Sequence, residues 1–136
     1  MATIKKFEDI EIWQLARKLN KDMYPIFKLL NETRNFELNR QMERSAGSIM
    51  ENVAEGFERD GTREFIQFLA ISKGSTGELR SQLYRALDRN LINEDQFNAF
   101  RSDCKLIGDK LGKFMNYLNR SNIKGKKFPA STRNKQ

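Results

Sequence analysis

Apolar residues recur along the chain at intervals of three and four, and short polar joints divide them into four segments, each predicted to be one long helix. In the first, Ile12, Ala16, Leu19, Met23, Ile26 and Leu30 form one stripe. Glu8, Asp9 and Glu11 place negative charge at its start, where the helix dipole favours it. Pro25 removes a backbone donor and strains the preceding turn, so a bend or break is expected around residues 20–23. The second segment, about residues 35–57, aligns Leu38, Met42, Ile49, Val53 and Phe57, with Ser45 and Ala46 as small members between them. After "ERDGT", with Thr62 expected to cap, the third runs over about residues 62–90 through Phe65, Leu69, Ser72, Thr76, Leu79, Leu83 and Ala86. The fourth opens on a capping-box pattern, Asn93 with Gln96. It continues as a seam of Phe97, Phe100, Cys104, Ile107, Leu111, Phe114 and Leu118.

Helices of roughly 22–29 residues would be roughly 33–44 Å long. Joints this short make consecutive helices antiparallel neighbours, so the expected fold is all-α, an antiparallel up-down-up-down four-helix bundle over residues 1–119.

The glycines of "SKGSTGELRSQ" oppose this picture locally, since each costs about 1 kcal/mol in a helix interior relative to alanine. The apolar spacing nevertheless passes through Gly74 and Gly77 unbroken. A hairpin turning near Asp60 sets the "SAGS" of residues 45–48, with Gly47, against the "SKGS" of residues 72–75, with Gly74 and Ser75. Close backbone approach between these small residues is therefore expected to offset the glycine cost. The same register brings Glu78 within reach of Arg40 or Arg44 on the facing helix, while Asn52 and Glu55 sit one turn apart, with Arg59 placed to pair with Glu55.

Charge changes the picture at one end. The net charge is +7, yet residues 120–136 hold six basic and no acidic side chains, leaving nineteen basic and eighteen acidic in residues 1–119. A basic tail, including Lys124, Lys126 and Lys127, is expected to be disordered in isolation and able to contact phosphates. On the body, Lys73, Arg80 and Tyr84 share one face of the third helix and Arg85 and Arg89 the next, a second candidate surface for RNA or DNA. With no histidine in the chain, Ser–His and Cys–His nucleophilic pairs and Glu-x-x-His metal motifs are excluded. Cys104 lies on the fourth seam and reads as a small core residue, so neither enzymatic activity nor a cofactor is expected. No secretory leader pattern opens the sequence, no apolar run suits a membrane, and a single cysteine can form no disulfide within the chain, so a cytoplasmic protein is expected.

Three stretches in order, "FEDIEIWQLAR" at 7–17, "SAGSIMENVAEGFER" at 45–59 and "EFIQFLAISKGSTGEL" at 64–79, resemble the four-helix-bundle proteins encoded in intervening sequences of bacterial 23S rRNA genes. The matching positions are Trp13, Asn52, Ala54, Glu55, Gly56, Phe65, Phe68, Leu69, Gly74, Ser75, Glu78 and Leu79; Ile10, Gly47 and Pro25 depart from the pattern. The resemblance implies a homo-oligomeric ring, with a pentamer favoured. Related accessory proteins of diversity-generating retroelements imply RNA or DNA, and a reverse transcriptase or another protein, as partners. A purely structural protein–protein scaffold is the alternative. Trp13, Tyr24 and Phe27 on the first helix, and Leu106, Met115 and Tyr117 on the fourth, flank the main stripes and are compatible with a subunit interface.

Overall fold

The computed structural model describes residues 3–123. A single 3-10 turn, Phe7–Asp9, leads into α1 (Glu11–Glu32), followed by α2 (Phe36–Glu58), α3 (Thr62–Asp88) and α4 (Glu94–Ile123). Each helix packs on its sequence neighbour, and α4 closes against α1. Contacts run in opposite senses along facing helices. Ser72 on α3 meets Ile49 on α2, while Arg85, further along α3, meets Gln41, earlier on α2. The expected up-down-up-down bundle is the fold. Among the described residues no helix is long and apolar enough to cross a membrane.

The predicted stripes form the core. Leu30, Leu38, Met42, Ile49, Leu69, Leu79, Leu83 and Leu111 are fully enclosed. At roughly 25 cal/mol per Å² of apolar surface removed from water, this burial is the main force holding the bundle. Helix α1 runs through Pro25 without a break. The proline lacks the N–H that would reach the Lys21 carbonyl, but both residues are exposed, so water can take the place of the missing donor. Helices α1 and α3 end alike, on a residue in the left-handed conformation, Arg34 (φ 66°) and Asn90 (φ 58°). The next amide then reaches back to close the end, Asn35 to the Leu30 carbonyl at 2.8 Å and Leu91 to Ala86 at 3.0 Å. Asn93 and Gln96 form the predicted reciprocal cap of α4, through bonds of 2.9 and 2.8 Å.

Thr62 does not cap α3. That position belongs to Gly61, whose φ of 126° suits glycine, and Thr62 is the first helical residue, buried beneath the turn. Helix α4 also continues past residue 119 to Ile123, with Ser121 buried, because its apolar face still meets the bundle there.

The α2–α3 hairpin is tied by hydroxyls as well as by apolar packing. The Ser75 hydroxyl bonds that of Ser48 at 2.7 Å, and Ser72 donates to the Ile49 carbonyl at 2.7 Å. Asn52 bonds the Ser48 carbonyl and hydroxyl, at 2.8 and 2.9 Å, and so lengthens the chain of polar contacts. Small residues do face each other, with Ser48 against Ser75 and Ser72 against the Ile49 carbonyl.

The glycines do different work from that expected of them. Gly74 and Gly77 are exposed, and a methyl group on either would meet nothing within 4 Å; at Gly47 it would meet the Glu51 side chain of the same helix. Close approach belongs instead to Gly56, where a Cβ would lie 2.6 Å from the Phe68 Cβ, and to Gly108, where it would lie 2.8 Å from the Thr76 hydroxyl. The expected Glu78 ion pair is not formed. Glu78 is exposed, and so is Arg44, while Arg40 turns along its own helix to the Glu37 carboxylate. Likewise Arg59 lies 3.9 Å from Glu64, across the α2–α3 turn, rather than pairing with Glu55.

The α1–α4 seam is the least closely packed side of the bundle. Asn20 ties α1 to α2 through the Ala46 carbonyl at 2.8 Å, whereas Glu11 and Lys110 join α1 to α4 by an exposed ion pair at 3.3 Å. A small cleft in this seam is lined by Leu15, Lys18, Leu19, Asp103, Leu106 and Ile107. Burial there raises the Asp103 carboxyl above the usual carboxylate range, although the Lys18 ammonium opposes the shift.

Candidate functional site

Residues three, four and seven apart on a helix share a face. Along α3 this sets Lys73, Gly77, Arg80 and Tyr84 toward α4. The antiparallel α4 answers with Gly112 opposite Lys73, then Lys105 and Arg101 opposite Arg80 and Tyr84. The result is an open groove lined by Gly77, Arg80, Ser81, Tyr84, Arg101 and Lys105. Gly77 leaves its wall without a side chain. Three cations therefore converge on a shallow channel between two helices.

The aromatic side chains beneath give the groove its order. Phe97 is buried, and Tyr84 meets it edge-on at 4.7 Å between ring centroids. The Arg101 guanidinium lies over the same Phe97 ring, 5.6 Å from its centroid. Tyr84 nevertheless keeps 47% of its surface exposed, and so presents an anchored ring to solvent. The Arg101 Nε is enclosed and has no hydrogen-bond partner, and neither Arg80 nor Arg101 makes an ion pair among the described residues. Lys105 is 3.4 Å from Asp109, a pair in which both side chains are 60% exposed and which is therefore weak. Unneutralised cations beside an exposed aromatic ring suit an anionic ligand with flat groups.

The other candidates fall elsewhere. Lys73 lies about two turns from Arg80, and its stem passes Gly112, where a Cβ would be 3.3 Å away. Arg85 and Arg89 turn to the opposite flank of α3, toward α2, and bond Gln41 at 2.8 Å and Asn35 at 3.3 Å. They tie two helices together rather than line the groove. Lys124, Lys126 and Lys127 lie outside the described residues. Arg101 and Lys105 were missed by sequence reasoning, which had read α4 for its apolar seam; their spacing of four, opposite Arg80 in an antiparallel pair, is the signal that could have found them.

A second basic surface, lined by Glu8, Trp13, Gln14, Arg17, Lys18 and Lys21, lies at the start of α1. Trp13 is held edge-on by Phe7 at 5.2 Å, with the Arg17 guanidinium 5.9 Å above its ring. Glu8 brings a carboxylate to this surface, and one of its three cations is paired. Lys18 bonds Asp22 at 2.6 Å, a hydrogen bond that raises the Lys18 pKa. Cys104 lies in the core, where burial pushes its thiol up to about 12, far from the thiolate a nucleophile requires. Among the described residues no group of three or more cysteine, aspartate or glutamate side chains is placed to hold a metal ion.

No curated protein matches the chain. A crystal structure of a protein of unknown function from the S23 ribosomal protein family of Bacteroides thetaiotaomicron shares its fold, with a TM-score of 0.73 at 22% identity, over 76% of this chain and 97% of that one. The family model described as 23S rRNA-intervening sequence protein matches residues 8–113. That span reaches into all four helices and takes in both walls of the basic groove. The chain belongs to the 23S rRNA-intervening sequence protein family.

Proposed function

We propose that the protein is a non-catalytic, homo-oligomeric accessory, a pentamer being favoured, that associates with nucleic acid through phosphate contacts. The observation that carries this reading is the α3–α4 groove, in which Arg80 and Arg101 lack counter-charges beside the exposed ring of Tyr84. Phosphates would supply the missing charge. Oligomerisation is supported by large apolar side chains that the protomer leaves exposed, among them Tyr24 at 64% and Ile71 at 53%. A ring would repeat the groove around its axis, so that weak contacts act together. The basic residues after Ile123 would add to the same attraction.

The test is a salt titration of binding to RNA and to duplex DNA, with the full chain and with a chain ending at Ile123. Three groove cations engaging three phosphates predict a slope of about −2 to −3 in log K against log salt for each protomer engaged. Retained binding in the shortened chain places the contact on the bundle, and loss of all binding places it in the tail. Absence of salt-dependent binding in both chains would remove the nucleic-acid role. Light scattering on the same samples tests the ring, and a monomer would count against it.

The exposed apolar side chains also favour a second reading, a scaffold that joins proteins and binds no nucleic acid. A reverse transcriptase is one protein such a surface would serve. In that case the ring would persist while the salt titration stayed flat.

A further inference from the structure

We infer that the α3–α4 groove takes single-stranded rather than duplex nucleic acid, with an unpaired base stacked on Tyr84 and neighbouring phosphates held by Arg80 and Arg101. This rests on the nucleic-acid reading above and adds what that reading leaves open, the strandedness of the ligand.

The geometry of the aromatic layer carries the inference. An exposed tyrosine on a helix ordinarily turns between rotamers, and holding it still for a ligand would cost entropy. Tyr84 is already braced edge-on against Phe97, which is itself buried, so that cost is reduced before any ligand arrives. The same Phe97 braces the Arg101 guanidinium. One buried ring thus fixes both a stacking surface and a cation, in a groove to which Arg80 and Lys105 add charge. A base can use the Tyr84 ring only if its own face is uncovered, and in a duplex both faces of an internal base are covered by its neighbours. Phosphate recognition alone would not call for the ring.

Arg101 adds a second argument. Its Nε is enclosed without an acceptor, so the guanidinium is partly desolvated and has no counter-charge. A cation in that state gains more from an anion than a fully hydrated surface lysine does. The missing side chain at Gly77 leaves room for a backbone to pass close to α3.

The experiment uses the full chain and fluorescence anisotropy with labelled 12-nucleotide strands of RNA and of DNA, single or annealed to their complements. Single strands of either sugar are expected to bind at least about tenfold more tightly than the duplexes. Tyr84→Leu should weaken single-strand binding by about 5- to 150-fold, as removal of one base stack does, and leave the salt slope unchanged. Tyr84→Phe should restore binding, since the ring and not the hydroxyl is used. Arg80→Gln and Arg101→Gln should each lower the salt slope by about 0.7. Circular dichroism of each variant confirms that the bundle is intact. Equal affinity for single and double strands, with Tyr84→Leu without effect, overturns this inference and leaves the broader function standing. Absence of binding to any of the strands overturns both.

Discussion

Gly56 and Gly74 are both helical glycines at positions the family pattern includes, yet their surroundings are opposite. A Cβ at Gly56 would lie 2.6 Å from the Phe68 Cβ and 3.0 Å from the Phe65 ring, whereas one at Gly74 would meet nothing within 4 Å. Gly56→Ala is therefore expected to destabilise the protein by about 1–3 kcal/mol, through overpacking at the α2–α3 hairpin. Gly74→Ala should stabilise it by about 0.5–1 kcal/mol, because alanine adds helix propensity without a clash. Urea unfolding of the two variants checks the pair, and a loss of stability at Gly74 would show that something in solution approaches that face. The difference was partly legible in the sequence. At about 100° per residue, Gly74 lies some 200° around the helix from the buried Ser72, on the side away from the seam. Ser75 lies only about 60° from Ser72, and it makes the hydroxyl contact with Ser48. Adjacency in sequence had joined two residues that helical geometry separates.

At the scale of elements, apolar spacing placed every helix, because each keeps one stripe against a common core. Ends were legible where a side chain closes them, as in the reciprocal bonds between Asn93 and Gln96. Asn93→Ala should cost about 1 kcal/mol, measured by urea unfolding, since it leaves the Gln96 amide without its side-chain acceptor. The start of α3 was harder to place. Threonine is a good cap by type, but the turn there demands a φ of 126°, which glycine tolerates, so Gly61 takes the position and Thr62 is drawn into the helix. Pro25 misled in the other direction. Its effect depends on whether the carbonyl left without a donor lies in the core or near water, and here Pro25 and Lys21 are both exposed residues.

The whole molecule adds what no single helix carries. The basic groove needs Arg80 and Tyr84 from α3 with Arg101 and Lys105 from α4, and it exists only once those helices dock in one register. Helix-by-helix reading found the first pair and missed the second, because partnership across an interface depends on register and not on local spacing. The expected pairs of Glu78 with Arg40 or Arg44 are likewise not made: Glu78 and Arg44 are exposed, and Arg40 turns to Glu37 on its own helix. The α1–α4 seam has a consequence of another kind. Helices α2 and α3 are joined by the hydroxyl bonds of Ser72 and Ser75, whereas the α1–α4 seam holds a small cleft and an exposed ion pair. Helix α1 packs less extensively on the rest of the bundle than any other helix, so it should detach, giving up its α2 contacts as well, while the other three helices stay folded. Native-state hydrogen exchange is expected to show the amides of α1 exchanging through an opening lower in free energy than that of the α3 core. Identical protection in the two helices would mean that the bundle opens only as a unit. Should the proposed ring form, a protomer that yields first along one seam would have, in the inner face of α1, a surface it could trade with a neighbouring copy.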